Sequence, residues 1–266
     1  MNEKIGIVGY GYVGKGIYNL FKDKYDCYAY DPNCTMPFDI FSSKDEINEC
    51  DLAVICVPTP MSKDNACDIS IVEETVKWLK TPVILIKSTI EPGTTDYLKE
   101  KYKKRIIFSP EYMGEGKYWS PYKFDTDMKE CPFVILGGDR KDTEYILDLM
   151  FPILGPTKQY RQCLAKEAEV VKYMENTYFG VKVTFANEMY NICQALGVNY
   201  YEVRDLWSLD PRVDRMHTGI FKDNRGFDGK CLPKDLNALI KASEKAGYEP
   251  KFFKQMLKSN DEYRND

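Results

Sequence analysis

Apolar positions along the chain change their period once. In the first part, short unbroken apolar runs recur: Lys4-Ile5-Gly6-Ile7-Val8, Cys27-Tyr28-Ala29-Tyr30, Leu52 to Val57, Val83 to Ile86, Arg105 to Phe108 and Phe133 to Leu136. Runs this short, apolar throughout, predict strands buried on both faces. They are separated by helical or polar stretches such as Lys15 to Lys24 and Ile69 to Leu79. Strands alternating with helices predict an α/β domain with a doubly wound parallel sheet. From Ala165 to about Leu196 the pattern changes. Proline is absent and Gly180 is the one glycine, while Val170, Val171, Met174, Phe179, Val183, Phe185, Met189, Ile192 and Cys193 recur at helical spacing. One long helix is expected there, closed by Gly197. Shorter helices are expected over 203–209, 233–246 and 250–263, the second closed by Gly247. The boundary falls near Gln162, dividing the chain into a sheet domain, 1–162, and an all-helical domain built on one long helix, 163–266.

The first strand runs into Gly9-Tyr10-Gly11-Tyr12-Val13-Gly14 and then a helix. This is GxGxxG in its strand-to-helix setting, the fingerprint of a Rossmann-type dinucleotide-binding domain. Gly9 permits the tight turn, Gly11 admits a pyrophosphate, and Gly14 lets helix pack on strand. Tyr12 and Val13 lie in this turn, ahead of the helix expected from Lys15, whose N-terminus faces the phosphates. The second strand ends at Asp31, about 20 residues past the fingerprint, where an acid holds the ribose hydroxyls and selects NAD over NADP. Ligands of such sheets lie beyond the carboxyl ends of the strands. Those ends carry Pro58-Thr59-Pro60, Lys87-Ser88-Thr89 and Ser109-Pro110-Glu111-Tyr112, hydroxyls and carboxylates that read as an active-site rim.

Composition narrows the partners. A net charge of −4 over 266 residues gives no footprint for nucleic acid, and no polybasic cluster suggests a membrane surface. No segment has spanning length, so a cytoplasmic protein is expected. Nine cysteines without CxxC pairs predict reduced thiols and neither disulfides nor a zinc site. His217 is the single histidine, so proton transfer is expected to fall to Lys, Glu, Asp or bound water unless His217 itself lies in the site. One cysteine stands apart. Cys231 lies in Gly226-Phe227-Asp228-Gly229-Lys230-Cys231-Leu232-Pro233-Lys234-Asp235, at the start of a helix and between two lysines, a setting that favours thiolate and marks a candidate nucleophile. On the long helix Lys172 and Asn176, four residues apart, place an ammonium and a carboxamide on one face, either a handle for an alcohol oxygen or a solvated surface.

These segments occur in the order found in the UDP-glucose/GDP-mannose dehydrogenase family, which the chain resembles from end to end. The resemblance rests on the glycine fingerprint, Cys56-Val57-Pro58-Thr59-Pro60, Lys87-Ser88-Thr89 with Gly93-Thr94, Ser109-Pro110-Glu111 with Glu115, Lys172 to Asn176, Asn187-Glu188, Asp210-Pro211-Arg212, and the cysteine segment. It implies NAD-dependent oxidation of a nucleotide sugar's primary alcohol to a carboxylate in two hydride transfers, with UDP-glucose or a close relative as substrate. Cys231 would capture the aldehyde and carry a thioester. Lys172, Asn176 and Asp235 would stabilise the oxyanion and direct water, with Thr89 and Glu111 beside that water. Thr59, Thr89, Glu115 and Lys234 would meet the cofactor, and Glu111, Tyr112, Lys172, Asn176, Arg212 and Gly229 the substrate. A homodimer paired along the long helix is also implied. Departures are Gly114 where the family usually carries arginine, Asp228 where it has glycine, and Lys230 where it has a small residue. Asp228 is expected to bear the cost of a positive φ. The chain ends at Asp266, whereas family members typically continue into a second nucleotide-binding domain. The rival readings are a two-electron 3-hydroxyacid dehydrogenase, which needs no cysteine, and an inactive relative that binds NAD or a nucleotide sugar.

Overall fold

The computed structural model describes residues 3–33, 40–114, 123–229 and 231–265. They form two compact units. One comprises Met1–Pro60 with Cys67–Lys172, the other Met61–Ala66 with Tyr173–Asp266.

The first unit contains a seven-stranded sheet, β1 (Lys4–Val8), β2 (Asp26–Tyr30), β3 (Leu52–Ile55), β4 (Val83–Ile86), β5 (Ile106–Phe108), β6 (Phe133–Gly137) and β7 (Gln159–Cys163), in the order β2-β1-β3-β4-β5-β6-β7. Strand direction and side-chain period explain its two cores. Along β3, β4 and β5 alternate residues point to opposite faces. Leu52, Val54, Val83, Leu85 and Ile107 join one core with Ile17, Leu20 and Phe21 of α1 (Tyr12–Phe21) and Ile146, Leu149 and Met150 of α5 (Arg140–Leu154). Ala53, Ile55, Ile84, Ile86, Ile106 and Phe108 join the other with Ile47 of α2 (Lys44–Ile47), Val72 and Val76 of α3 (Ser70–Trp78), Leu98 of α4 (Thr94–Tyr102) and Ala168. Burial on both faces is why these strands read as unbroken apolar runs.

Phe41 adds a single parallel bridge to Ala29 on the outer side of β2. With it the order is that of a dinucleotide-binding sheet, its third strand reduced to one residue. Two details depart from the sequence pattern. β6 pairs antiparallel to β5, through Phe108 and Gly137, while every other pair is parallel. A parallel return needs a crossover. Among the described residues, the β5–β6 connection has only the 3-10 turns Lys123–Asp125 and Met128–Glu130. The second detail is β7, an edge strand half exposed along its length and too polar to stand out as an apolar run.

The long helix α6 runs Ala165–Ala195, as its spacing predicts. Its end is closed at Gly197, where the Val198 amide donates to the Cys193 carbonyl. Near its start, fully buried Glu169 caps another helix. One carboxylate oxygen accepts from the Gly93 amide and the other from the Thr95 amide (2.8 Å) and hydroxyl (2.6 Å), at the N-terminus of α4. Burial pushes this carboxyl above its ordinary value of 4.5, with the three donors opposing. Glu169→Ala orphans three buried donors and is expected to cost about 3 kcal/mol, at about 1 kcal/mol per donor. A raised folded-state pKa means that stability present below pH 4.5 is lost as pH rises through the raised value. The gap in melting temperature between parent and variant should therefore be wider at pH 5 than at pH 8, a comparison that calorimetry makes directly.

The second unit holds the rest of α6 with α7 (Tyr200–Trp207), α8 (Leu232–Lys245) and α9 (Lys251–Asn265). α7 begins three residues before its apolar pattern because the Asn199 side chain caps the Tyr201 amide. Phe227, Leu236, Ile240 and Met256 form its larger core. Among the described residues no helix is long and apolar enough to cross a membrane.

Candidate active site

The glycine turn of the first unit is built around backbone contact. Gly9 has φ +91°, and a Cβ there would lie 2.7 Å from the Cys56 carbonyl oxygen. On Gly14 a Cβ would lie 2.0 Å from the Gly9 carbonyl oxygen. Gly11 differs, since a Cβ on it would meet nothing within 4 Å. It is also the N-cap of α1, where no side chain satisfies the first-turn amides. The N-terminus of α1 therefore lies beside an open approach, the arrangement that takes a phosphate. Asp31 completes it. One carboxylate oxygen accepts from the Tyr10 amide at 2.8 Å and the other from the Asn33 amide at 2.9 Å. A carboxylate oxygen accepts more than one bond, so Asp31 is fixed to the turn and keeps lone pairs for ribose hydroxyls. Turn, helix end and acid together fit NAD.

Further along the same sheet edge, Thr59 is buried and donates to the Thr89 carbonyl at 2.7 Å, joining the ends of β3 and β4. Thr89 itself is half-buried. Buried Lys87 donates to the Pro110 carbonyl at 2.8 Å and pairs with Glu111, Nζ to Oε2 3.3 Å. Oε1 of Glu111 accepts from the Tyr112 and Met113 amides at 2.8 and 2.7 Å, whereas Oε2 makes no hydrogen bond. Glu111 is thus a fixed carboxylate whose Oε2 is buried and faces the Lys87 ammonium without a hydrogen bond. Lys172 lies with Nζ 5.5 Å from the centre of the Tyr112 ring.

In the second unit, Cys231 is the N-cap residue of α8, with Pro233 in its first turn. Among the eight described cysteines it is the exposed one. The others are half-buried or buried, and burial pushes Cys27 up to about 12, Cys50 up to about 11, and Cys56 and Cys131 upward too. A thiol must ionise to attack, which leaves Cys231 the best placed nucleophile among them. One turn on, the Asp235 amide donates to the Cys231 carbonyl at 2.9 Å. The Asp235 carboxylate is 1% exposed and accepts from Asn176 Nδ2 and Lys234 Nζ, each at 2.5 Å. Asn176 is thereby anchored from α6 to the first turn of α8.

The two units thus hold separate groups of the expected residues. The first has Gly9, Gly11, Tyr12, Val13, Gly14, Asp31, Thr59, Thr89, Glu111, Tyr112 and Lys172, the second Asn176, Gly229, Cys231, Lys234 and Asp235. Lys234 is engaged by Asp235. Arg212 sits in the exposed segment after α7, folded back on Asp210 with contacts of 2.6 to 3.1 Å. Glu115 and Lys230 lie outside the described residues. Asp228 differs from expectation. It is not among the residues with positive φ, and its carboxylate pairs with Arg264 at 2.7 Å, so the turn takes aspartate without backbone strain. The positive φ falls on Gly226 and Gly229. Sequence reasoning placed Lys87 in the rim but gave it no role of its own; the structure pairs its ammonium with Glu111. Sequence reasoning passed over Asn260, an amide on the apolar side of α9.

Comparison with known proteins identifies the family. Residues 37–154 match the NAD binding domain of the UDP-glucose/GDP-mannose dehydrogenase family, and residues 166–262 match its central domain. A UDP-glucose 6-dehydrogenase of Bacillus subtilis is 30% identical over 231 residues, covering 82% of this chain and 48% of that protein. A UDP-N-acetyl-D-mannosamine dehydrogenase of Methanocaldococcus jannaschii is 31% identical over 208 residues, 74% of this chain and 46% of that one. The chain spans about half the length of these curated relatives. Among solved structures, a UDP-glucose dehydrogenase from Pyrobaculum islandicum superposes with a TM-score of 0.79 at 24% identity, over 98% of this chain and 68% of that one, a likeness of fold.

Proposed function

The chain belongs to the UDP-glucose/GDP-mannose dehydrogenase family, and from that premise we propose that it oxidises the primary alcohol of a nucleotide-linked sugar to the carboxylate, UDP-glucose to UDP-glucuronate or a close relative. The observation that carries this reading is the exposed Cys231 at the start of α8, one turn from buried Asp235, which holds Asn176. The α1 N-terminus and Asp31 would hold NAD, which would accept one hydride in each oxidation, one NAD being consumed per step. The first oxidation converts alcohol to aldehyde with loss of one hydride and one proton. An aldehyde has no easy second hydride to lose, and the Cys231 thiolate solves this by adding to its carbonyl carbon. The resulting thiohemiacetal keeps a hydrogen on carbon, and its loss as hydride leaves a thioester. Water then cleaves the thioester, releasing carboxylate and restoring the thiol.

The remaining residues take supporting roles in this proposal. Asn176, whose Nδ2 donates to Asp235, and Lys172 are assigned to the developing oxyanion. Glu111 would orient the hydrolytic water, with Thr89 beside it. Tyr112, Arg212 and Gly229 are assigned to the substrate, and Thr59, Glu115 and Lys234 to the cofactor. Absorbance of reduced nicotinamide tests the reading. Two NADH formed per sugar consumed is expected, and one per sugar would favour a two-electron dehydrogenase. We further propose a homodimer. Met174, Tyr178, Phe185, Ile192 and Leu196 expose an apolar stripe along α6, larger than a lone soluble helix usually leaves to water. Light scattering should give twice the chain mass, and Phe185→Glu with Ile192→Glu should return it to one. A reduced thiol nucleophile suits the cytoplasm, which cell fractionation can check.

A further inference from the structure

Among the described residues, the turn ahead of Cys231 is held by side chains distant in sequence, by Asn187 of α6, which accepts the Gly226 amide at 3.3 Å, and by one face of α9. Asn260, 5% exposed, accepts the Phe227 amide at 2.7 Å and donates to the Phe227 carbonyl at 3.0 Å, so one carboxamide satisfies both backbone groups of a buried residue. Three and four residues further on lie Tyr263 and Arg264, on the same face of the helix. Arg264 reaches across the turn, donating to the Asn224 side chain, to the Arg225 carbonyl at 3.4 Å and to Asp228 at 2.7 Å. Tyr263 forms one wall for the Arg225 guanidinium, 5.4 Å from its ring centre. Gly226 fits beneath this face at φ +71°, where a Cβ would lie 2.6 Å from Asn260 Oδ1.

From this geometry we propose that the last two turns of α9, through Asn260, Tyr263 and Arg264, are a clamp that positions Cys231. The clamp accounts for Asp228, which pairs with Arg264 across a turn that needs no charge for its backbone. The three clamp residues are positioning residues and act through the turn they hold. The inference rests on the reading of Cys231 as the nucleophile. A turn released from the clamp holds the sulfur at the helix N-terminus for less of the time, and that setting favours the reactive thiolate.

The test uses Arg264→Ala, Asp228→Ala and the reversed pair Asp228→Arg with Arg264→Asp. Two rates are measured on the whole chain: turnover, and alkylation of Cys231 by iodoacetamide followed by peptide mass spectrometry. Each single variant is expected to lower kcat and the alkylation rate about fivefold, leave KM for NAD unchanged, and melt within a few degrees of the parent. The reversed pair should recover most of both rates. Alkylation and kcat within twofold of the parent in both single variants would overturn the clamp, as would a reversed pair no better than either. A purely structural role would lower the melting temperature and leave Cys231 alkylation in the folded protein unchanged. Asp228→Ala guards against misfolding, because that side chain is 62% exposed. If Cys231→Ser turns over like the parent, the nucleophile reading fails, and the alkylation rates still decide the clamp.

Discussion

Cys231→Ser is expected to stop the second oxidation and leave the first. A serine hydroxyl is isosteric but barely ionised near neutral pH, and without a base to activate it is a poor nucleophile toward an aldehyde. Steady formation of carboxylate should fall by at least about 10³-fold, in the range that loss of a covalent nucleophile produces elsewhere. No other described thiol is positioned to substitute. Cys27, Cys50, Cys56 and Cys131 are held back by burial, and all seven are less exposed than Cys231. The variant should therefore form at most one NADH per sugar and accumulate or release aldehyde, detectable with a hydrazine trap. Two NADH per sugar at a rate within tenfold of the parent would exclude the thiohemiacetal route. Substrate binding should be little changed, because Asp235 engages the Cys231 residue through its carbonyl and holds Asn176 through its own carboxylate.

What could be read ahead of the structure divides along the range of the interactions involved. β1 to β6 were visible because strands buried on both faces leave unbroken apolar runs, and α6 because 31 residues keep one helical period. β7 was not, since Gln159-Tyr160-Arg161-Gln162-Cys163 lies at the sheet edge and needs no apolar side chains. α4 was equally hidden. Its first turn is capped by Glu169, 76 residues from Gly93, and no local signal announces a cap supplied from another helix. The same holds in the candidate site. Asp31 and the glycines could be assigned because their roles follow from spacing within one βαβ unit. The strain expected at Asp228 did not arise, for reasons held 36 residues away in Arg264. Asn260, 33 residues from Phe227, carries out a backbone-pairing task that no motif encodes. Rules of local conformation named the candidate groups, and long-range hydrogen bonds decide how those groups are held.

The glycines of the fingerprint allow that distinction to be measured, because two apparently equal positions should fail in different ways. Gly14→Ala places a methyl 2.0 Å from the Gly9 carbonyl oxygen, an overlap with backbone that no rotamer relieves. α1 must move away from β1 or the turn must open, and overpacking of this kind costs about 1–3 kcal/mol or more. The melting temperature should drop by roughly 5–10 °C, at about 2–4 °C per kcal/mol for a chain of this size. Gly11→Ala should do the reverse. Its methyl meets no atom within 4 Å, so the apo protein should melt like the parent. The space it enters is the one left for a pyrophosphate above the N-terminus of α1, and NAD affinity should fall at least about tenfold, or 1.4 kcal/mol. Calorimetric titration with NAD alongside thermal melts separates the two. Should Gly11→Ala bind NAD as tightly as the parent, the dinucleotide does not cross that turn, and the assignment of Gly11, Tyr12, Val13 and Gly14 to the cofactor falls with it.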